Sequence, residues 1–468
     1  MNPFETNYWL LYFDFLRTFE NIRYRRFPLP LYSHFYQLIA SNKAISNTLA
    51  DPSIHHHFNN SFDSKVPIQV QFDNYLKRWN TTEKKRRKGR GSVVFYENLL
   101  NIPKEAYVND FHHLNPVIVR GGHVKTEAHY PYNVYYLADY ADQLETEIQS
   151  YKDKMNKQLQ NEKNHPIFRN RAFQERVIQE IPLILSQISA AHHFMNNVKC
   201  DVMVLGETSY PESKALVFAA FERGIPVICL QHGIIALQFG YLPVIANYQA
   251  VFGPYEASWY KSHGVKEKVI KQIGSPKFDM IFTRKQPVNE KLKTRLKINP
   301  KKKTLLFISH HEKFTELKTI LSHLKNENVN IIVKPKGNIR ALETALKHHK
   351  GVIISKHIHL YDLISVSDIV ITYESTVALE AMIAKKPVFI WKSGSVSQTE
   401  YFQDVQPFFY NEPAQLSNYI VQFLNDPMFE KKFKTVNARF LNDRYPNPPN
   451  QSTNRLKKLI QSIKEKEN

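Results

Sequence analysis

The sequence predicts two doubly wound α/β domains that face each other across a cleft, preceded by a helical N-terminal extension. Three observations support this prediction. Short apolar runs bounded by turn residues alternate with helical segments from Ser92 onward. The same alternation recurs more regularly in the second half of the 468-residue chain. A polar, lysine-rich stretch with Pro287 and Pro300 separates the two halves, as an interdomain linker would.

These observations divide the chain into four parts. A chain of this length exceeds what one hydrophobic core usually organises, so two domains and an extension are expected. The predicted parts are the extension (1–91), a first domain (92–283), a linker (284–303) and a second domain (304–468). The last helices are candidates for packing back on the first domain.

The extension is rich in aromatic residues. Those in Tyr8–Phe19 recur at helical spacing, which favours a helix packed on the protein body over a helix lying in a membrane interface. The consecutive histidines 55–57 are expected in a loop, because a metal site there would need a second cluster of ligands. The basic run Lys84–Arg90 is either solvated or a contact for anionic lipid or polymer.

The first domain is predicted from apolar runs that read as strands. SVVFYE, PVIVRGG and VYYLADY are followed by a long helix-like segment at 142–197. DVMVLGE (201–207) and PVICLQ (226–231) then bracket a helix, which predicts a parallel strand-helix-strand unit. Ser209 is expected to cap this helix in a capping box with Glu212.

The second domain repeats this pattern with five apolar runs. They are TLLFIS (304–309), VNIIV (329–333), GVIIS (351–355), DIVIT (368–372) and PVFIW (387–391). Helical segments lie between most of them, which predicts a second doubly wound sheet. In such sheets ligands bind beyond the carboxyl ends of the strands, so the residues that follow each run are the candidates for function.

The charge balance narrows the class of partner. Sixty-three Lys and Arg against 43 Asp and Glu leave a formal net charge of +20, which suits a phosphorylated substrate, an acidic polymer or a membrane face. No nucleic-acid-binding motif accompanies the charge, so nucleic acid is not expected as a partner. The two cysteines, the lack of a recognisable signal peptide and the lack of a long apolar run predict a cytoplasmic protein whose membrane contact, on the inner face, is peripheral.

The first candidate site is Gln231-His232-Gly233, directly after the strand PVICLQ. Glycine permits a ligand to approach the backbone closely. His232 is expected to face the cleft, as a general base toward an acceptor hydroxyl or as a phosphate contact. The alternative is a structural histidine bonded to a neighbouring carbonyl.

The second candidate site opens the helix that follows DIVIT. Ser375 and Thr376 stand at its N-terminus, where hydroxyls and free N–H groups suit a diphosphate. Glu380 lies one turn further on the same face as Thr376, so its two carboxylate oxygens are placed for a ribose. The alternative is an ordinary helix cap with a solvated Glu380.

Other residues at strand ends are weaker candidates. Lys334 and Lys336 after VNIIV would supply positive charge against a phosphate, or are ordinary surface lysines. For the remaining candidates the alternative to a functional role is a simple turn or cap. They are Glu207, Gly274, Ser275, Asp279, Ser309, His310 and His311.

Five segments resemble, in order, the GT-B enzymes of bacterial surface polymer synthesis: LQHG, VFGPYEASWY, IGSPKFD, IIVKPKGN and SDIVITYESTVALEAMIAKKPVFIW. The likeness is greatest to the CDP-glycerol glycerophosphotransferase group and its relatives in spore coat and capsular polysaccharide biosynthesis. It covers residues 200–395, and the first 200 residues contribute little.

The resemblance implies a GT-B-like pair of Rossmann-like domains. A CDP- or UDP-activated donor would bind chiefly to the second domain and the acceptor to the first, without a tightly bound cofactor or metal. His232 matches the family's motif histidine, and Ser375, Thr376 and Glu380 match its donor-binding helix. Around these we predict Glu207 as a second catalytic residue and Gln231 and Gly233 as phosphate or acceptor contacts. The remaining predicted donor-binding residues are Lys334, Lys336, Ser309, His310, Gly274 and Ser275.

The chain departs from the family pattern at two places. Lys336 stands where a histidine usually follows Lys-Pro, and Tyr-Glu-Ser-Thr at 373–376 replaces an Asp-Tyr-Ser-Ser run. A sugar nucleotide and CDP-glycerol therefore both stay open as donors.

We predict a transferase that moves a sugar or glycerol phosphate to a polysaccharide, lipid-linked or teichoic-acid-like acceptor in spore coat, capsule or cell wall polymer synthesis. An acceptor hydroxyl would attack while basic groups stabilise the departing nucleotide phosphate. One alternative is a sugar-nucleotide 2-epimerase of the same fold, which would need further carboxylates around the sugar ring. The other is a non-catalytic, membrane-associated scaffold for polymer synthesis.

Overall fold

The structure, a computed structural model, describes residues 2–40, 42–60, 63–79, 91–122, 131–283, 287–309, 314–337, 339–349, 351–392, 401–410 and 412–467. The basic run Lys84–Arg90 and the candidate residues His310 and His311 lie outside the described residues.

Helices dominate the N-terminal extension, as predicted. Its elements are Pro3–Thr18 (α1), the hairpin Arg23–Tyr24 (β1) and Phe27–Pro28 (β2), Phe35–Ala40 (α2), Lys43–Leu49 (α3) and Ile68–Lys77 (α4). α1 begins at a capping box, in which Asn2 Oδ1 accepts from the Glu5 N–H. The aromatic side chains of α1 from Tyr8 to Phe15 are buried, so this helix packs on the protein body. The histidines 55–57 form a short 3₁₀ turn, and the described residues contain no group of three or more side chains placed to hold a metal.

A buried contact ties the extension to the first domain. His165 Nε2 donates to Asp14 Oδ2 at 2.9 Å, and its Nδ1 accepts from the Ile167 N–H. Asp14 also accepts from the backbone N–H groups of Asn59 and Asn60. Both side chains of the pair are fully buried. Asp14 therefore holds α1, the 59–60 loop and the segment around His165 together.

The first sheet is parallel, and within the described residues it has seven strands. They are Ser92–Tyr96 (β3), Pro116–Arg120 (β4), Asn133–Tyr136 (β5), Cys200–Leu205 (β6), Val227–Leu230 (β7), Tyr248–Val251 (β8) and Ile270–Gln272 (β9). Their order is β5-β4-β3-β6-β7-β8-β9, so the winding reverses between β3 and β6. The apolar runs predicted β3 to β7. They did not predict β8 and β9, which are short strands with polar members.

The helices of the first domain cover this sheet. They are Lys104–Asn109 (α5), Glu145–Asn161 (α6), Arg171–Asn197 (α7), Pro211–Phe221 (α8), Pro254–Ser262 (α9) and Pro276–Thr283 (α10). The capping box predicted for α8 is wrong, because Tyr210 is the N-cap and makes no side-chain cap. The carboxylate of Glu207 instead accepts the Tyr210 N–H at 3.0 Å and the Ser209 hydroxyl at 3.0 Å.

The second sheet is also parallel. Its strands are Lys303–Ser309 (β10), Val329–Pro335 (β11), Val352–Ile354 (β12), Ile369–Tyr373 (β13), Val388–Trp391 (β14) and Phe409–Tyr410 (β15). The order β12-β11-β10-β13-β14-β15 reverses between β10 and β13, the doubly wound order in which ligands bind at the reversal. Its helices are Pro287–Arg295 (α11), Phe314–His323 (α12), Ile339–Leu346 (α13), Leu360–Val366 (α14), Thr376–Ile383 (α15), Pro413–Asn425 (α16) and Pro427–Arg444 (α17).

Two segments connect the domains. The segment predicted as a linker contains α11, whose Leu292 packs in the core of the second domain together with Leu296, just after the helix. The last helix, Ser452–Glu467 (α18), returns to the first sheet, where Leu456 and Ile460 are fully buried against its strands. None of the helices in the described part of the chain is long and apolar enough to cross a membrane.

Candidate active site

His232 follows β7 and is held on several sides. Its ring lies parallel to that of Tyr241, with 5.1 Å between centroids and 8° between planes. Nδ1 is 3.2 Å from the carbonyl oxygen of Gly206, and Nε2 is 3.5 Å from the Tyr241 hydroxyl. The Asn101 side chain donates to the His232 carbonyl at 2.9 Å. Both the backbone and the ring of His232 are therefore fixed.

The surroundings of His232 select its neutral form. Burial lowers the pKa of the imidazole, although the contact with Gly206 raises it in part. A carbonyl oxygen can only accept a hydrogen bond, so Nδ1 carries the proton and Nε2 keeps its lone pair. This arrangement suits a general base.

An open pocket of about 510 Å³ lies beside His232 at the carboxyl edge of the first sheet. The loops after β3, β6 and β7 contribute Leu99, Tyr210 and His232 to its wall. The N-terminal extension contributes the opposite wall, including Tyr36 and Gln37 of α2. The extension, which the sequence did not connect with the candidate site, therefore lies beside it.

The loop that carries His232 meets the second domain. Thr376, the first residue of α15, accepts from the Ile234 N–H through its hydroxyl at 3.4 Å. A Cβ added to Gly233 would lie 3.4 Å from the same oxygen. Ser375 is the N-cap of α15, and its side chain makes no capping hydrogen bond. The first candidate site and the N-terminus of α15, the second candidate site, are therefore adjacent.

Glu380 is buried in α15 rather than solvated, with 1% of its surface exposed. Lys277 Nζ, from α10 of the first domain, donates to its Oε1 at 3.1 Å. The second oxygen, Oε2, has no hydrogen-bond partner among the described residues. The Tyr361 hydroxyl lies beside this carboxylate but makes no hydrogen bond of ordinary geometry with it. An unpartnered carboxylate oxygen and an unpartnered hydroxyl would both suit the hydroxyls of a ribose.

The charge of Glu380 is set by two opposing effects. Burial raises the pKa of its carboxyl group, while the positive charges of Lys277 and Lys336 lower it. Lys336 is therefore near enough to act on this site, and its N–H is bonded to the carbonyl oxygen of Ser309 at 3.0 Å. The ends of β10 and β11 thus meet beside α15.

Gln231 supports the His232 loop from below. Its Nε2 donates to the Gly233 carbonyl at 2.8 Å, and its Oε1 accepts from the Phe252 N–H at 3.3 Å. Beneath it, Glu256 is fully buried and accepts from the Gly253 N–H. Gln231 is therefore placed to position the loop rather than to contact a ligand.

Four predicted residues are engaged elsewhere. Glu207 is buried and accepts hydrogen bonds from the loop that leads into α8, including one from Ser213. Lys334 Nζ donates to the carbonyl oxygens of residues 356 and 358 at 3.1 and 2.8 Å. Gly274, at φ 81°, leaves no room for a side chain, because a Cβ there would lie 2.5 Å from the Ser452 hydroxyl. The Ser275 N–H donates to the Tyr445 hydroxyl at 2.8 Å.

These contacts have a structural purpose. Gly274 and Ser275 receive the chain as it returns from the second domain, and Asp279 accepts from the N–H groups of Ser452 and Thr453 at the start of α18. The geometry thus brings His232, Thr376, Glu380 and Lys336 toward one cleft and leaves the other predicted residues around it.

Sequence reasoning missed three residues of this arrangement. Lys277 stands in the segment IGSPKFD, so its proximity to a conspicuous motif was a usable signal. Tyr241 and Tyr361 lie outside the strand ends, where nothing in the pattern distinguishes them from core tyrosines.

Part of the chain matches a known protein family. Residues 246–446 match the family model described as CDP-glycerol:poly(glycerophosphate) glycerophosphotransferase. The match covers less than half of the chain, begins after His232 and includes Lys277 and Glu380. It confirms the predicted resemblance and the transferase class. No curated protein sequence matches the chain.

Solved structures share the architecture at low sequence identity. A variant of the wall teichoic acid polymerase TagF soaked with CDPG is 14% identical, with a TM-score of 0.51 over 85% of this chain and 96% of that chain. The UDP-GlcNAc 2-epimerase from Neisseria meningitidis bound to UDP-GlcNAc is also 14% identical, with a TM-score of 0.51 over 79% of this chain and 99% of that chain. These likenesses confirm the predicted GT-B fold.

Proposed function

We propose, from the match of residues 246–446 to the CDP-glycerol glycerophosphotransferase family, that this chain transfers a sugar or glycerol phosphate from a CDP- or UDP-activated donor to a surface-polymer acceptor. The observation that carries the proposal is the contact between the two candidate sites. The Ile234 N–H and the Thr376 hydroxyl are 3.4 Å apart, so an anion held at the N-terminus of α15 would lie next to His232.

The donor would be held by the second domain in this proposal. Backbone N–H groups at Ser375 and Thr376 would face the diphosphate, and Lys336 would add positive charge. Glu380 Oε2 and the Tyr361 hydroxyl would hydrogen-bond the ribose, since neither makes a hydrogen bond of ordinary geometry among the described residues. Lys277 would keep the buried carboxylate ionised for this purpose.

The acceptor hydroxyl would be activated by His232. Its Nε2 would take the proton while the acceptor oxygen forms the new bond to the reacting centre. In glycosyl transfer the sugar C1–O bond breaks and a nucleoside diphosphate leaves. In glycerol phosphate transfer the pyrophosphate bond breaks and a nucleoside monophosphate leaves. The nucleotide released thus distinguishes the two reactions.

An epimerase of the same fold is less well supported. The prediction of that function required carboxylates around the sugar ring, and the described residues that line the pocket beside His232 include neither Asp nor Glu. The carboxylate of Glu207, which was predicted as a second catalytic residue, accepts hydrogen bonds from the loop that leads into α8.

Calorimetric titration with CDP, UDP, GDP and dTDP tests the donor site. We expect one diphosphate to bind, and Glu380→Gln to weaken it by roughly tenfold or more, since a lost charge-assisted hydrogen bond costs about 1.5–3 kcal/mol. The exposed Glu343→Gln variant is the matched control. Absence of binding by all four nucleotides, or equal binding by Glu380→Gln, would contradict the proposal. Analysis of the nucleotide released from CDP-glycerol and from UDP-glucose then identifies the reaction.

We also propose that the protein makes peripheral contact with an anionic membrane. It rests on the net charge of +20 and the basic run at 84–90. Flotation with anionic liposomes at low and high salt tests it, and absence of the protein from the liposome fraction at low salt would contradict it.

A further inference from the structure

The pocket beside His232 differs in charge from the rest of the protein. The chain carries a formal net charge of +20, yet the described residues that line this pocket include no Lys, Arg, Asp or Glu. Its size of about 510 Å³ lies in the range of small-molecule sites, roughly 300–1,000 Å³. A neutral pocket of this size favours a neutral ligand, because an ion that enters it gives up part of its hydration without gaining a counterion.

The two histidines of the pocket are also uncharged near neutral pH. Burial, with the nearby charge of Lys214, lowers the pKa of His34 to about 4, and burial lowers the pKa of His232. Lys214 itself lies behind the wall, where its ammonium donates to the carbonyl oxygen of Ser33 at 2.6 Å. Charged side chains such as Arg176 and Glu180 line a neighbouring groove, on the far side of Tyr210.

Aromatic rings form much of the wall. Tyr36 stacks on Phe239 at 4.9 Å with 12° between planes, and His34 packs on Tyr210 at 4.7 Å. Phe239 is itself packed against Tyr8 of α1 at 4.2 Å, so the extension fixes this wall. The Tyr210 ring is 39% exposed and offers surface to a ligand.

Polar but uncharged groups complete the lining. Gln37, Ser209 and Tyr241 are part of it, together with His232. The hydroxyls of Ser209 and Tyr241 donate to Glu207 and to the Gly233 carbonyl and keep lone pairs that can accept. Hydroxyls, amides and a neutral imidazole donate and accept hydrogen bonds without requiring charge. A sugar ring has this combination of surfaces, because its C–H face suits the negative face of an aromatic ring and its hydroxyl rim suits neutral polar groups.

We propose that this pocket binds a neutral sugar ring as the acceptor terminus, with the attacking hydroxyl toward His232. The inference rests on the proposed function and narrows it. A terminus made of glycerol phosphate would bring a phosphodiester into the pocket, and the described lining supplies no cation to pair with it.

Saturation-transfer NMR on the full chain, loaded with the nucleotide found by calorimetry, tests the inference. The probes are octyl glycosides of glucose, galactose and N-acetylglucosamine below their micellar concentrations, because each carries a neutral sugar and an apolar chain. We expect saturation of the sugar ring protons for at least one probe, with loss of that signal in Tyr210→Ala. Phe282→Ala, which removes an aromatic ring of similar exposure from α10, should keep it.

Three results would overturn the inference. The first is no sugar signal with any probe, and the second is a signal confined to the octyl chain, which would mark a lipid site. The third is displacement of the sugar signal by glycerol 3-phosphate at lower concentration than the sugar itself. Nucleotide titration of the same wild-type sample tests the donor site separately, so failure here with intact nucleotide binding leaves the proposed function standing.

Discussion

Lys277 of the first domain donates to Glu380 of the second at 3.1 Å, and the carboxylate that it contacts is almost fully buried. The buried carboxylate of α15 is therefore paired with a cation that the other domain supplies. The pair sits beside the proposed ribose contact, so its electrostatics affect both stability and ligand binding.

We expect Lys277→Met to destabilise the protein more at pH 8 than at pH 5. Burial raises the pKa of Glu380 above its ordinary value of 4.5, so stability is full when Glu380 is protonated and falls as the pH rises through its folded pKa. Without Lys277 that fall becomes larger. Because Lys277 is partly exposed, we expect an added loss at pH 8 of about 1–2 kcal/mol.

Urea unfolding of Lys277→Met, Glu380→Gln and the double variant measures this effect. In the double variant the loss of unfolding free energy should no longer depend on pH in this way, because no carboxylate is left at position 380 to ionise. Lys261→Met, which breaks an exposed pair with Glu267, is the control. An equal loss at both pH values would contradict the electrostatic explanation.

We expect His232→Ala to reduce turnover about 10²- to 10⁴-fold, the usual contribution of a general base. The wild type should keep its activity down to pH values below 6.5 and then lose it, because burial lowers the pKa of His232 below that value and only the neutral ring can accept a proton. That acid limb should disappear in the variant.

The measurement is kcat/KM against pH for nucleotide release. His263→Gln is the matched control, since burial also lowers the pKa of His263 but its ring contacts Trp259 and not the pocket. If the loss of activity at low pH persists unchanged in His232→Ala, a group other than His232 causes it.

We expect Glu256→Gln to flatten the dependence of stability on pH. Burial raises the pKa of Glu256 to about 7, so its contribution is full below pH 4.5 and is lost as the pH rises through 7. The shift corresponds to about 3 kcal/mol between those limits. Unfolding free energies at pH 5 and pH 8 should therefore differ less in the variant than in the wild type.

The exposed Glu105→Gln variant should keep the wild-type dependence. A variant with the same pH slope as the wild type would show that Glu256 ionises as easily in the folded as in the unfolded chain.

We expect Asp14→Ala to cost about 3–5 kcal/mol, because it leaves one buried donor and two partly buried backbone donors without an acceptor. The His165 ring N–H and the N–H groups of Asn59 and Asn60 would each lose their partner. Urea unfolding measures the loss. Asp153→Ala on the exposed face of α6 should change stability by no more than about 0.5 kcal/mol, and a similarly small effect for Asp14→Ala would contradict the role assigned to this contact.

The periodicity of apolar runs was sufficient to predict most of both sheets. TLLFIS and DIVIT became β10 and β13 because fully buried parallel strands read as continuous apolar sequence. β9 was missed because its Ile-Lys-Gln sequence lies at the sheet edge, where one apolar residue suffices. The start of α8 was misjudged because the helix begins one residue later than predicted, with Tyr210 as its N-cap, and the Ser209 hydroxyl donates to Glu207 instead of accepting from the helix.

The candidate site was predictable only in part. Strand ends pointed to His232 and Glu380, since topology fixes which end of a parallel strand faces the cleft. Lys277 stands in the segment IGSPKFD, but its pairing with Glu380 joins the two domains and is not visible in local sequence. Tyr361 meets Glu380 within the second domain, from the separate helix α14, and local sequence does not show that contact either. The place of the extension at the site could not be predicted for the same reason. Tyr36 forms part of the pocket wall by stacking on Phe239, which is distant in sequence.

The return of α18 to the first sheet has a consequence for biosynthesis. Leu456 and Ile460 cover a sheet whose strands leave the ribosome long before them. A nascent first domain must therefore keep part of one apolar face uncovered while the whole second domain is translated, although domains usually fold in order of synthesis. That interval is when holdase chaperones would protect the chain, and a nonsense mutation that removes only α18 would leave the first domain incomplete rather than merely shorten the second.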